Sequence, residues 1–364
     1  MIAHACLVLV LVLACLPSFA RGDDSIKIGV ISSLDAIGAS WSTSANLGLR
    51  EAASEINQRG GVNGRKLELI FEDDRFDPKR AVSAYRSLRS REVEIFIGPQ
   101  FEQTLSPVIP IAAREGSLVV TTIASTPLNK EPASAVIHSV PTDRLAARCL
   151  ADAIKRDGRK RVAFIMPQES YSQTFATFVK ESLDGIALQQ IDYVPERPDY
   201  NALILRTRQL RPDAVVFFFV TAEAAIEVFR RLEALDVDVP VYSNEVLHES
   251  KAFLEQAAPR AFGTRYCGIN FNADKAEIRA FLRSLPERPI LPLYSVIAYD
   301  TLHWLARALE ESGGEVPSLR KAVSKVAHKG LLTEYSFDPL GDLQYDDFTV
   351  FEVTSGGFRA VALP

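Results

Sequence analysis

Acid–base chemistry needs a donor and an acceptor within hydrogen-bond reach, and the 364-residue sequence offers two such neighbours: His248 beside Glu249, and Asp300 three residues before His303. A spacing of three places Asp300 and His303 on one face of a helix, where a surface pair is the ordinary outcome. The sequence holds no G-x-S-x-G, no G-x-G-x-x-G and no G-x-x-x-x-G-K-[ST], so nucleophile elbows and phosphate cradles have no support. Five histidines and four cysteines are scattered without C-x-x-C or H-E-x-x-H, which leaves neither a metal site nor a cofactor to expect. Lys and Arg number 41 against 46 Asp and Glu, a net charge of −5 with no basic stripe, and nucleic acid is thereby disfavoured as a partner.

The elements that must position any site alternate strand and helix. Ile26 to Ile31 is β-rich, and Ala45, Leu49, Ala52, Ala53 and Ile56 then fall on one helical face, stopped by Gly60-Gly61. Leu67 to Phe71 is a second strand, and Asp77-Pro78 opens the next helix with an N-cap residue followed by proline. Val93 to Ile97, a helix from Gln103 to Arg114, and Leu118 to Thr121 complete the first set. After Val140-Pro141 the pattern restarts with a helix from Asp143 to Lys155 and strands at Val162 to Met166, Ile186 to Ile191, Ala214 to Phe219 and Val239 to Tyr242. Helices at Ser172 to Leu183, Tyr200 to Leu210 and Ala222 to Leu235 intervene. Lys275 to Leu285 and Leu293 to Glu311 are helical again, and Phe348 to Val353 is β-like. Such spacing predicts an α/β fold of two Rossmann-like lobes with parallel sheets.

Ligands in open α/β sheets sit beyond the carboxyl ends of the strands. Here those ends are 32–42, 99–102, 122–126, 167–171, 220–223 and 243–247. They carry aromatic, hydroxyl and carboxylate side chains, an inventory for recognition more than for catalysis.

Residues 1–20 contain no Lys, Arg, Asp or Glu, and Ala5 to Leu16 is too short an apolar run to span ~30 Å of bilayer. Ser18-Phe19-Ala20 fits a signal-peptidase site, with cleavage after Ala20 and export to the periplasm; lipid anchoring at Cys15 is the alternative. Cleavage would leave Cys149 and Cys267, either as a disulfide or as two buried thiols, the second being the usual state of single core cysteines.

Ile26-Lys27-Ile28-Gly29-Val30, Glu55-Ile56-Asn57 followed by Gly60-Gly61-Val62-Asn63-Gly64-Arg65, Glu72-Asp73-Asp74 with Asp77-Pro78, and Ile97-Gly98-Pro99 together resemble the type I periplasmic binding proteins, in particular the leucine/isoleucine/valine-binding branch that serves ABC importers. The resemblance runs from Ser25 to Phe351. It implies two lobes, 25–140 plus 271–347 and 141–270 plus 348–364, joined by three hinge crossovers near Val140, Asn270 and Asp347. It implies a monomer that closes on a small-molecule ligand, catalyses nothing, and hands its ligand to permease subunits; an extracytoplasmic sensor on the same fold is the alternative. It also implies ligand contacts. Trp41, Tyr171 and Tyr294 match aromatic wall residues, Ala124 and Ser125 match a pair that binds an amino acid's carboxylate and ammonium, and Glu245 matches the carboxylate facing the ammonium.

Two departures stand out. Glu102 replaces the family's carboxylate-binding serine, and no tyrosine lies at Val220 or Thr221. Glu102 either takes the seat of the ligand's carboxylate or turns onto Arg80 or Arg144. In the first case the cleft holds two carboxylates among aromatic faces and favours an amine, an amide or a urea-like solute.

Overall fold

The computed structural model describes residues 25–34, 38–127, 136–195, 197–248, 250–257, 259–313, 316–322 and 325–361. The leader, Cys15, the cleavage site and Glu249 lie outside the described residues.

The apolar run Ile26–Ser32 forms β1, and Leu67–Asp73 (β2), Ile95–Ile97 (β3), Leu118–Thr121 (β4) and Val136–His138 (β5) join it in an all-parallel sheet of order β2-β1-β3-β4-β5. These strands read as nearly continuous hydrophobic segments because helices cover both faces. One face is closed by α1 (Ala39–Gln58), the other by α2 (Pro78–Arg89) and the short helices α3 (Glu102–Leu105) and α4 (Ile109–Glu115). Asp77 caps α2 as its sequence announces, accepting from the N–H groups of Lys79 and Arg80 at 2.8 and 2.9 Å. The single helix expected from Gln103 to Arg114 is two, with Pro107 and Pro110 between and at their boundaries, where a missing N–H breaks the ladder.

A second sheet repeats the order. It uses β6 (Arg161–Pro167), β7 (Ala187–Tyr193), β8 (Ala214–Phe217), β9 (Val241–Ser243) and β10 (Arg265–Ile269), flanked by helices α5 (Asp143–Arg156), α6 (Ser170–Glu181), α7 (Tyr200–Leu210), α8 (Ala222–Ala234) and α9 (Lys251–Ala257). Its order is β14-β13-β10-β9-β8-β6-β7, in which two late antiparallel strands, β13 (Phe348–Thr354) and β14 (Gly357–Val361), extend the edge beside β10. Between β10 and β13 the chain returns to the first sheet. There it builds α10 (Ala276–Ser284), α11 (Pro292–Ser312), α12 (Val316–Ala322) and the antiparallel pair β11 (His328–Lys329) and β12 (Glu334–Tyr335).

Helix α11 lies against α1 so closely that a Cβ on Gly48 would stand 2.0 Å from the Ser295 carbonyl oxygen; only glycine admits this approach. Two of the passages between sheets run side by side, with Asn270 N–H donating to the Asp347 carbonyl at 2.9 Å and the Asn270 side chain to the Asp347 carboxylate at 3.0 Å.

Cys149 on α5 and Cys267 on β10 are joined by a disulfide, with Cα atoms 6.1 Å apart. The expectation of two separate buried thiols is thereby corrected. Both are core residues, as expected, but α5 packs directly across β10 and brings the sulfurs together.

Candidate functional site

In both sheets the strand order reverses beside the first strand of the unit, between β1 and β3 and between β6 and β8, so both crevices open beyond carboxyl ends. Gly98 turns the chain at the end of β3 with φ +91°, and a Cβ there would meet the Ile31 carbonyl oxygen at 2.2 Å. The loop it permits delivers Glu102 to the first residue of α3, facing the loop after β4. Glu102 Oε1 accepts the N–H groups of Ser125 and Thr126 at 3.0 and 3.2 Å. Glu102 thus turns neither to Arg80 nor to Arg144, whose guanidinium lies over Phe178 instead.

The same two residues are held from the other side by Asp143, the first residue of α5. Ser125 Oγ donates to Asp143 Oδ1 at 2.7 Å, Thr126 Oγ1 donates to Oδ2 at 3.1 Å, and the Asp143 N–H donates to the Ser125 carbonyl at 3.1 Å. Ala124 is 1% exposed and its methyl packs into the core, while its carbonyl accepts from Thr121 Oγ1. Ser125 therefore spends its N–H and its hydroxyl on protein carboxylates.

From the second sheet come Tyr171 and Glu245. Glu169 caps α6 by accepting the N–H groups of Tyr171 and Ser172 at 2.8 and 2.7 Å, which fixes the start of the helix that carries Tyr171. Asn244 ties the turn after β9 to the end of β8, accepting from Phe219 N–H at 3.1 Å and donating to Phe219 O at 3.0 Å, and Glu245 follows it on a 3₁₀ turn. The Tyr171 hydroxyl donates to Glu245 Oε1 at 3.2 Å. Tyr294 stands at the start of α11, anchored to α1 where Leu291 N–H donates to Ser44 Oγ at 3.0 Å and Ser295 Oγ donates to Ser44 O at 2.6 Å. Its hydroxyl accepts a hydrogen bond from the Trp41 side chain.

Trp41, Glu102, Tyr171, Glu245 and Tyr294 are each partly exposed. For the two carboxylates and two phenols burial is nevertheless the leading influence on ionisation, as expected of groups on the walls of a deep cleft. Burial pushes the pKa of Glu102, Asp143 and Glu245 up above the ordinary carboxylate range. Asp143 is raised furthest, by burial first and by the neighbouring negative charge of Glu102 and Glu245 next. The Tyr171 and Tyr294 phenols are raised by the same burial and the same carboxylates, and stay protonated. The structure thus gathers Trp41, Glu102, Ser125, Tyr171, Glu245 and Tyr294 around one cleft, adds Asp143, and leaves Ala124 contributing backbone and core packing. Asp143 escaped sequence reasoning because an acid in a helix's first turn is commonplace. Its one distinguishing signal is its position directly after the first passage between sheets.

Of the acid–base pairs weighed from sequence, Asp300 and His303 make separate contacts, and His248 is described without Glu249. Asp300 accepts the Leu331 and Leu332 N–H groups at 2.8 and 2.9 Å, and burial pushes its carboxyl up to about 7. His303 Nδ1 instead lies 3.2 Å from Arg59, and His248 Nδ1 lies 2.6 Å from the Tyr266 hydroxyl. A separate cavity of about 480 Å³ opens at the amino ends of the second sheet, where Arg265 bridges Asp157 and Glu352 at 2.6 and 2.9 Å. A second pair, Arg260 with Asp238 at 3.0 Å, lines it too, and it lies away from the strand ends that carry the cleft. Among the described residues no His, Cys, Asp or Glu group is disposed to hold a metal ion, and no helix is long and apolar enough to cross a membrane.

A family model described as periplasmic binding protein matches residues 25–357. The Leu/Ile/Val-binding protein BraC3 of Rhizobium johnstonii is 25% identical over 340 residues, covering 91% of this chain and 92% of that protein. A leucine-, isoleucine-, valine-, threonine- and alanine-binding protein of Pseudomonas aeruginosa is 25% identical over 351 residues, with 92% and 91% covered. Among solved structures, a leucine binding protein LivK from Thermotoga maritima superposes with a TM-score of 0.79 at 18% identity, covering 93% of this chain and 98% of that one. A solute binding protein from R. palustris in complex with benzoate gives 0.77 at 17% identity, with 93% and 95% covered.

Proposed function

Since the chain belongs to the periplasmic binding protein family, an extracytoplasmic and non-enzymatic family of solute-binding proteins, we propose that it is the exported receptor of an ABC importer. It captures one small polar solute between two lobes, 25–140 with 271–347 and 141–270 with 348–364, and presents it as a monomer to membrane permease subunits. Residues 1–20 direct export and are removed after Ala20. The observation that carries the reading is the meeting of side chains from both sheets at one place: Trp41, Glu102 and Tyr294 from the first, Tyr171 and Glu245 from the second, with Asp143 between them.

Three chain passages joining units that each have their own core support closure by hinge motion. The ligand is held by polar contacts to Glu102, Ser125, Asp143 and Glu245 and by the faces of Trp41, Tyr171 and Tyr294. Relatives named for leucine, isoleucine and valine place amino acids among the family's ligands, and the occupied Ser125 and Thr126 N–H groups argue that this chain differs. A thermal-shift screen of the purified protein against amino acids, amides, amines and small carboxylates tests the reading, since a ligand at 100 times its Kd adds ~2.7 kcal/mol. A binder that also shrinks the radius of gyration in solution scattering supports it. Absence of any binder, or binding with unchanged scattering curves, overturns it.

A further inference from the structure

Resting on that reading, we propose that the cleft takes a small organic cation, an alkylammonium or guanidinium bearing N–H donors and no carboxylate. The donors of Ser125, Thr126 and Tyr171 in the cleft are committed to protein carboxylates. Ser125 N–H and Thr126 N–H go to Glu102, Ser125 Oγ and Thr126 Oγ1 go to Asp143, the Tyr171 hydroxyl goes to Glu245, and the Trp41 side chain donates to Tyr294. Beside the Tyr294 O–H and the buried Gln100 Nε2, what remains is acceptor capacity on three carboxylates, each oxygen of which can take more than one hydrogen bond. An amino acid's carboxylate, or the carbonyl of an amide or urea, would arrive as one more acceptor where acceptors already crowd. Ammonium and guanidinium groups are donors only.

Charge leads to the same class. Among the described residues, no Lys or Arg forms an ion pair with Glu102, Asp143 or Glu245, and the hydrogen bonds these three accept come from backbone N–H, hydroxyl and phenol groups. Asp143 feels both Glu102 and Glu245 as like charge, and Glu245 feels Glu102. A bound cation supplies the missing opposite sign at a site where water is largely excluded. The three carboxylates are not disposed around a point as a metal site requires, which favours an extended organic cation over a bare ion. Trp41, Tyr171 and Tyr294 add the aromatic faces on which such cations rest.

The test is calorimetry on the purified protein at pH 7.5 with agmatine, putrescine, choline, leucine, benzoate and calcium chloride. Agmatine or putrescine is expected to bind at micromolar Kd, choline at least tenfold more weakly for want of N–H donors, and leucine, benzoate and calcium not at all. Asp143→Asn and Glu245→Gln should each weaken the bound amine at least tenfold. Glu245→Gln keeps the Tyr171 acceptor, so a variant of unchanged melting temperature is available even where Asp143→Asn loosens the Ser125 loop. Leucine or benzoate binding in place of the amines overturns the cation assignment and leaves solute capture standing. Calcium binding in place of the amines makes the site a metal site, and failure of all six overturns the assignment.

Discussion

Replacing Glu102 by serine removes one carboxylate from the cleft and frees the Ser125 and Thr126 N–H groups that its Oε1 occupies at 3.0 and 3.2 Å. Those N–H groups then face the cleft as a ready seat for a ligand carboxylate. Each hydrogen bond to a charged group contributes ~1.5–3 kcal/mol, so two give about 3 kcal/mol at the low end, roughly a 150-fold gain in affinity for an α-amino acid. Relief of like-charge repulsion adds to this figure. The fold should tolerate the change. Burial outweighs the hydrogen bonds in setting Glu102's ionisation, so the carboxylate is held at a cost that serine does not carry. The assay is calorimetry with leucine and isoleucine on wild type and Glu102→Ser at pH 7.5, with melting temperatures as the control for folding. The reasoning fails if the wild type binds either amino acid at micromolar Kd and Glu102→Ser does not tighten it.

Two further outcomes follow from the scaffold. The Cys149–Cys267 disulfide closes a loop with a sequence separation of 118. Chain-entropy reasoning assigns such a loop up to ~5 kcal/mol. Urea midpoints for the Cys149→Ala/Cys267→Ala double variant should therefore fall clearly below wild type under oxidising conditions and match it in dithiothreitol. Gly48→Ala drives a Cβ to 2.0 Å from the Ser295 carbonyl oxygen, so α1 and α11 must separate. A loss of ~1–3 kcal/mol in chemical denaturation is expected, and an unchanged midpoint would show that the helices accommodate the methyl.

The parallel core was legible because buried strands in a helix-covered sheet read as unbroken apolar runs, and α1 and α5 announce themselves by spacing, α2 by its Asp77 cap. The strands missed are those whose identity depends on partners. β5 is three residues long, β10 gains its neighbours from both sides, and β14 alternates weakly at an edge, Gly-Phe-Arg-Ala-Val. The site divides similarly. Glu102, Tyr171, Glu245 and Tyr294 stood out because they follow strand ends or match a family pattern. Asp143 did not, because what distinguishes it is the pair of hydroxyls it accepts from a loop 17 and 18 residues earlier. Cys149 and Cys267 likewise look like any two core thiols until α5 is laid across β10.

With the proposed hinge closure, this arrangement of charge links closing to protonation. Glu245 comes from the second unit and Glu102 from the first, with Asp143 at the passage between them; Asp143 feels both glutamates, Glu245 feels Glu102, and Tyr171 and Tyr294 border all three. Their carboxyls are raised in the structure described, in which α3 packs on α6 and the two units touch. Opening the cleft rehydrates them and returns them toward the ordinary 3.8 for Asp and 4.5 for Glu. The closed form therefore binds more protons than the open one, and by linkage a fall in pH favours closing while a rise through the raised values favours opening. A bound cation replaces those protons and restores closure at high pH, so its own affinity should rise with pH as protons cease to compete. In solution scattering, the unliganded protein should expand as pH rises above the ordinary carboxylate range and contract again on saturation with the amine, while Glu245→Gln flattens the pH response. A radius of gyration independent of pH in the empty wild type, with circular dichroism unchanged across the range, would show that carboxylate repulsion does not govern closure.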